Sequence, residues 1–143
     1  MKKEIIVAAS GYFDPIHKGH IEYLKLAKSL GDKLIVILNN DAQAILKKGK
    51  TFMPLEERKT ILESLRFVDE VFISIDNDKS VCKSLETIKP DIFAKGGDRN
   101  ADNIPEKDIC DNLNIKIING VGGDKVQSSS WLIKNSVDQI KQP

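Results

Sequence analysis

The sequence predicts an α/β, Rossmann-like three-layer sandwich, with a five-stranded parallel sheet and helices on both faces. Three observations predict it. Short, continuous apolar runs are bounded by turn residues, which is the pattern of strands buried on both faces. Amphipathic stretches separate those runs, so the order is β-α repeated about five times. The glycines, most of a lysine cluster and a serine run fall in the loops that follow the strands. In open parallel sheets ligands sit at the carboxyl ends of the strands, near the point where strand order reverses.

Each element has a local reason. Ile5-Ile6-Val7-Ala8-Ala9 is a β-type run that ends in Ser10-Gly11. From His20 to Leu30 the positions Ile21, Tyr23, Leu24, Leu26, Ala27 and Leu30 suit one side of a helix, and Gly31 supplies its stop. Leu34 to Leu38 reads as the second strand. Asp41 to Leu46 reads as a short helix, followed by the basic loop Lys47-Lys48-Gly49-Lys50. Pro54 suits the first turn of the next helix, with Glu56 and Glu57 near its positive end and Leu55, Ile61, Leu62, Leu65 and Val68 as its buried stripe. Val71 to Ile75 is the third strand. A helix from Ser80 to Ile88 is blocked by Pro90. Ile92-Phe93-Ala94 runs into Lys95-Gly96-Gly97-Asp98, and Pro105 starts a helix that ends near Asn112. Ile115 to Ile118 is the fifth strand. Ser128-Ser129-Ser130 is an N-cap signal for a last helix carrying Trp131, Ile133, Val137 and Ile140.

The chain has 143 residues and reads as one domain, 1–143. Apolar residues make up 41%, enough for a core, and charged residues 30%, mixed in sign. A formal net charge of +1 argues against a protein that grips nucleic acid by bulk electrostatics. The run Ile5–Ala9 is too short for a signal-peptide core, and nothing approaches the ~20 apolar residues of a membrane span. A cytoplasmic protein with no membrane partner is expected. Cys82 and Cys110 form no CxxC and are expected to be buried, reduced thiols.

The first loop reads Gly11-Tyr12-Phe13-Asp14-Pro15-Ile16-His17-Lys18-Gly19-His20. Two histidines three apart bracket a glycine where a helix should begin. A helix N-terminus offers unbonded backbone N–H groups and partial positive charge. Gly19 removes a side chain so that a phosphate can approach, and two imidazoles can donate to phosphate oxygens. No GxxxxGK[ST] occurs, so this is not a Walker loop. On spacing alone the pair also suits metal ligation or simple helix capping, although no partner cluster for zinc is visible.

The wider context resembles a known family. The first loop matches the G-x-F-D-x-x-H-x-G-H signature of the cytidylyltransferase-like nucleotidyltransferases, with six fixed residues in register after an apolar strand. Lys28–Leu34 resembles the family's A-K-x-L-G-D-x-L segment. Leu55-Glu56-Glu57-Arg58 and Leu65–Val71 resemble its E-x-R and R-x-V-D-E-V segments. Lys95-Gly96-Gly97-Asp98 resembles the loop of the heptose-1-phosphate adenylyltransferase branch, and Ser128-Ser129-Ser130 stands where the family starts its final helix.

The resemblance implies roles at matching positions. His17, His20 and Lys47 would be catalytic, stabilising charge on the α-phosphorus and the departing pyrophosphate. Gly11, Tyr12, Phe13, Gly19, Lys95, Gly96, Asp98, Ser128, Ser129 and Ser130 would hold the nucleotide. Asp14, Lys50 and Arg66 would face the acceptor, with Asp14 orienting either that substrate or a nearby amide. Arg58 and Arg66 stand on a helix where either can be structural, and Arg66 is the better candidate for a phosphate. The implied reaction transfers a nucleoside monophosphate from a nucleoside triphosphate to a small phosphorylated acceptor and releases pyrophosphate. No protein nucleophile is placed for it, and none is needed, because a substrate phosphate is already anionic. Mg²⁺ would be bound mainly through the triphosphate, with no protein metal ligand expected.

Two branches compete for the substrates. The glycerol-3-phosphate cytidylyltransferases usually carry an arginine shortly before the final serines, and Asn119 to Gln127 contains none. The Lys95–Asp98 loop favours ATP and a sugar 1-phosphate, although Arg99-Asn100 replaces that branch's aromatic residue. A stand-alone FAD or coenzyme A pathway adenylyltransferase shares the histidine signature and fits the later motifs less well. A nucleotide-binding sensor without chemistry is the reading from another class. A homodimer is expected, with Phe52, Phe72 and Trp131 as interface candidates.

Overall fold

The computed structural model describes residues 4–96 and 105–121. Five strands, β1 (Ile6–Gly11), β2 (Lys33–Leu38), β3 (Glu70–Ile73), β4 (Ile92–Gly96) and β5 (Lys116–Val121), form one sheet in the order β3-β2-β1-β4-β5. Every neighbouring pair is parallel. The helices are α1 (Lys18–Ser29), α2 (Asp41–Lys48), α3 (Leu55–Glu63), α4 (Cys82–Ile88) and α5 (Lys107–Asn112). The final helix expected after Ser130 lies outside the described residues, as do Asp98, Ser128, Ser129, Ser130 and Trp131. Among the described residues no helix is long and apolar enough to cross a membrane.

The period-two alternation of the strands sorts the core into two layers. Val7, Ala9, Leu34, Val36 and Leu38 face one side, with Tyr23, Leu24 and Ala27 of α1 and Leu62 of α3. Ala8, Ile37 and Phe93 face the other, with Val81 and Leu85 at α4 and Cys110 of α5. The two sides of the sandwich are therefore filled by helices from different halves of the chain. The chain runs outward from β1 to β2 and β3, then returns across the sheet to β4 and β5. The reversal point is the seam between β1 and β4.

That seam opens at its carboxyl end. β1 pairs with β4 only over Val7–Ile92, Ala8–Phe93 and Ala9–Ala94. Beyond it the Tyr23 hydroxyl stands between the strands. It accepts from the Ser10 N–H at 3.2 Å and donates to the Ala94 carbonyl at 2.5 Å. Tyr23 was legible only as an apolar helix position; its burial raises the phenol far above its ordinary range and keeps the proton for the Ala94 bond.

The opposite edge is held by carboxylates. Asp32 accepts the Ile5 N–H at 2.7 Å, Asp91 the Ile6 N–H at 2.9 Å, and Asp69 the Leu34 N–H at 2.8 Å. Lys28 reaches Asp69 at 2.5 Å from the end of α1. Much of the resemblance over Lys28–Leu34 and Leu65–Val71 is thus strand-start chemistry. Gly31 belongs to the same edge. A Cβ there would stand 2.7 Å from Val7 Cγ2 and 2.8 Å from the Ile5 carbonyl oxygen.

Several boundaries differ from those expected. α1 starts at Lys18 rather than His20, because His17 is its N-cap, a role the residue type does not advertise. α2 runs on through Lys48 and stops at Gly49, whose φ of 85° is left-handed. α3 stops at Glu63, so Leu65 and Val68 join the core from the turn that follows, not from the helix. Ile75 lies beyond β3 and is exposed. Cys110 is buried as expected, whereas Cys82 is only partly buried.

Burial, reinforced by the nearby Glu106 charge, pushes the Cys110 thiol up to about 12. In the folded chain at pH 8, iodoacetamide should modify Cys82 well before Cys110. Equal labelling rates for the two would contradict the packing of α5. Tyr23→Phe leaves the Ser10 N–H and Ala94 carbonyl without their bridge and should cost about 2 kcal/mol of stability, read by urea denaturation.

Candidate active site

The loop from Gly11 to His17 leaves the sheet beside the open seam. Phe13 turns it with a left-handed backbone, φ 52°, and its ring folds back under Gly11. A Cβ on Gly11 would meet that ring at 3.0 Å, so glycine is what lets the turn close. Phe13 is 1% exposed and sits edge-on to His20, with ring centroids 4.9 Å apart. Its ring packs behind His20.

The two histidines form a reciprocal cap. His17 Nδ1 accepts the Gly19 N–H at 3.1 Å, and His20 Nδ1 accepts the His17 N–H at 3.2 Å. The rings stack 3.8 Å apart at an interplanar angle of 20°. A ring nitrogen that accepts an amide hydrogen carries none itself, so these bonds place the N–H of each imidazole on Nε2. Both side chains are thereby held as Nε2–H donors. The first turn of α1 has no acidic residue, which leaves its partial positive charge uncompensated by the helix itself. Helix capping and phosphate binding, alternatives on spacing alone, are compatible here: one ring face of the chemistry caps, the other nitrogen donates.

Lys47 is brought to the same place. It lies in the last turn of α2, not in a loop, and its Nζ is 4.4 Å from the centre of the Tyr12 ring. Lys50 is exposed just past Gly49. Lys95 ends β4 with Nζ 5.2 Å from the Phe93 ring centre, on the α4–α5 side of the sheet. Gly96 lies beside Tyr23, where a Cβ would touch its ring at 3.4 Å. Tyr12, His17, Gly19, His20, Lys47, Lys95 and Gly96 therefore all belong to the carboxyl edge.

The structure separates the two readings of Asp14 and moves Arg66 away from the histidines. Asp14 is 0% exposed, and its carboxylate accepts the N–H groups of Phe52, at 2.8 Å, and Met53. Orienting amides, not the acceptor, is the role its geometry fits. Arg66 is exposed in the turn between α3 and β3. A turn that leads into a parallel strand lies at the amino edge of the sheet, opposite the histidines. Arg66 is not at this chain's site, and the helix that was to present it ends three residues earlier. Arg58 is the arginine that reaches the site's framework: it is 1% exposed and bonds Tyr12, Asn39, Asp41 and Met53.

Sequence reasoning missed the polar joint beneath α2. Asn40 caps α2 and donates to the Ser74 and Asp76 carbonyls at 3.0 and 2.9 Å. Gln43 donates to the Asp78 and Ser80 carbonyls. Asn40 followed three residues later by Gln43 is a capping-box pattern and was the available signal.

The family model for cytidylyltransferase-like proteins matches residues 8–136. The chain belongs to the cytidylyltransferase-like family. It is an enzyme of nucleotidyltransferase type. It is 37% identical over 119 residues to the FAD synthase of Pyrococcus horikoshii, covering 81% of this chain and 80% of that one. It is also 37% identical over 148 residues to the bifunctional protein HldE of Hahella chejuensis, covering 96% of this chain but only 29% of that protein. The crystal structure of a lipopolysaccharide core biosynthesis protein from Thermoplasma volcanium superposes with a TM-score of 0.70 at 30% identity, over 82% of this chain and 96% of that one.

The double use of the imidazoles gives a clean test. Asparagine is a strong N-cap but lacks a nitrogen equivalent to Nε2. His17→Asn should fold with a melting temperature close to that of the parent and lose on the order of 10²–10³ in turnover. Retained turnover would show that His17 only caps the helix.

Proposed function

We propose that the chain transfers AMP from ATP to a small phosphomonoester acceptor and releases pyrophosphate. The observation that carries this reading is the histidine pair, locked as two Nε2–H donors at the start of α1 with Lys47 beside it. Such a set stabilises negative charge that grows in the transition state and requires no proton from a protein nucleophile.

An acceptor phosphate oxygen attacks the α-phosphorus in line. The new bond is oxygen to α-phosphorus, and the bond from α-phosphorus to the bridging oxygen breaks, so pyrophosphate leaves with that oxygen and its electron pair. His17 and His20 donate to the phosphate oxygens through Nε2. Lys47 spans the phosphates of both substrates, and Lys50 adds cationic charge towards the acceptor. Gly19 and the first turn of α1 supply close backbone approach. Ser128, Ser129, Ser130 and Asp98 complete the nucleotide pocket in this reading. Magnesium would be held mainly by the triphosphate, where it would neutralise phosphate charge. The protein donors at hand are N–H and ammonium groups, and the signature carboxylate Asp14 is committed to the Phe52 and Met53 amides.

The Lys95-Gly96-Gly97-Asp98 loop supports a sugar 1-phosphate as acceptor. The match with relatives named FAD synthase, over 81–82% of this chain and 80% of theirs, supports a second acceptor, FMN, more strongly than the later motifs alone suggest. Both are phosphomonoesters joined to AMP. The protein is proposed to act as a homodimer in the cytoplasm, without nucleic-acid or membrane partners.

A pyrophosphate-release panel tests the reading. ATP and CTP are each paired with FMN, sugar 1-phosphates and glycerol 3-phosphate. ATP should support release with FMN or a sugar 1-phosphate at least ten times faster than CTP with any acceptor. Release with CTP and glycerol 3-phosphate would reassign the enzyme. Nucleotide binding with no release from any pair would make it a sensor.

A further inference from the structure

Arg58 is among the largest fully buried side chains of the described residues, and its bonds reach four residues in three segments around the site. Nη1 donates to the carbonyls of Tyr12 and Asn39, each at 2.8 Å. Nη2 meets Asp41 Oδ1 at 2.6 Å, and Nε donates to the Met53 carbonyl at 3.0 Å. Tyr12 is the residue whose ring lies under Lys47. Asp41 begins the helix that carries Lys47, and Met53 ends the segment that follows it. Asp14, from the histidine loop, holds the N–H groups of Phe52 and Met53. The lysine arm is thus tied to the histidine loop at both of its ends. Between the ties lie α2 and Gly49, whose left-handed residue has no atom within 4 Å of where a Cβ would be.

We propose that Arg58 is a positioning residue for the reaction: its guanidinium, with the Asp14 carboxylate, locks the α2 arm onto the histidine loop so that Lys47 reaches over Tyr12 into the substrate phosphates. A buried charge with four well-formed bonds to three segments fixes their relative placement, because each bond lost leaves a buried polar group unsatisfied. A planar fork is needed for this. A lysine presents a point charge and cannot span the Tyr12, Asn39 and Met53 carbonyls with one geometry. This inference rests on the role given to Lys47 above.

The test is a double-mutant cycle on the full chain, with kcat and the KM for ATP measured for Lys47→Ala, Arg58→Met, Arg58→Lys and the Lys47→Ala/Arg58→Met pair. Lys47→Ala should lower kcat on the order of 10²-fold. Arg58→Met should lower it comparably, with the KM for ATP changed less than about threefold, and the pair should be no worse than Arg58→Met alone. Arg58→Lys should fall between Arg58→Met and the parent. If Arg58→Met does not fold, as read by circular dichroism, Asp41→Asn takes its place. Asp41 is half-exposed, so the variant removes the charge partner at little folding cost, and Lys47→Ala should lose most of its effect in that background. Losses that multiply independently overturn the positioning role alone. Full activity of Lys47→Ala in the parent chain overturns the role of Lys47, and this inference with it.

Discussion

The ladder between β1 and β4 stops after three residue pairs, and the Tyr23 hydroxyl takes the place of the next. The rest of the site depends on that substitution. A parallel sheet whose chain reverses direction must leave a crevice where the two halves diverge. A helix residue that bridges Ser10 and Ala94 holds the crevice open and ties α1 to its floor. The same helix presents the histidine cap at its first turn. One buried hydroxyl thus relates the reversal of the sheet, the placement of α1 and the position of the two imidazoles.

The charged and polar residues of the family signature divide by edge. At the amino edge Asp32, Asp69 and Asp91 accept the N–H groups that strand starts leave unpaired, and Lys28 neutralises one of them. At the carboxyl edge the histidines stand at a helix start whose first turn has no acidic residue, with Lys47 over Tyr12 in the loop before it. Asp14 and Arg58 stand between these groups in function. They are buried, their bonds go to backbone and, for Arg58, also to the Asp41 carboxylate, and they frame the site. A carboxylate and a guanidinium taken out of water are costly unless every lone pair and N–H is used, which is why such residues end up joining several segments at once.

How much was legible follows from what each signal reports. The five strands were readable because buried strands are continuous apolar runs, and the helix faces because Leu24, Ala27 and Leu62 recur at helical spacing. Boundaries were less so. His17 is not a typical cap by type, yet its Nδ1 accepts the Gly19 N–H and His20 closes the box by accepting the His17 N–H. The helix over Leu55–Glu63 was read too long, since Leu65 and Val68 are apolar at helical spacing but reach the core from a turn. Cys82 looked as buried as Cys110, because residue type carries average burial and not the geometry of one surface.

The sequence by itself determined the fold class, the order of the elements and the loop in which chemistry resides. Those follow from periodicity and from a ten-residue signature, both of which are local. Only the tertiary structure decided which charged residues meet the site. Arg58 in α3 and Arg66 in the turn after it are eight residues apart, yet one touches Tyr12 and the other lies at the far edge of the sheet. The reason is that a side chain's edge depends on where its helix ends and which way the next strand runs, and its partners here are 46 and 19 residues away in the chain.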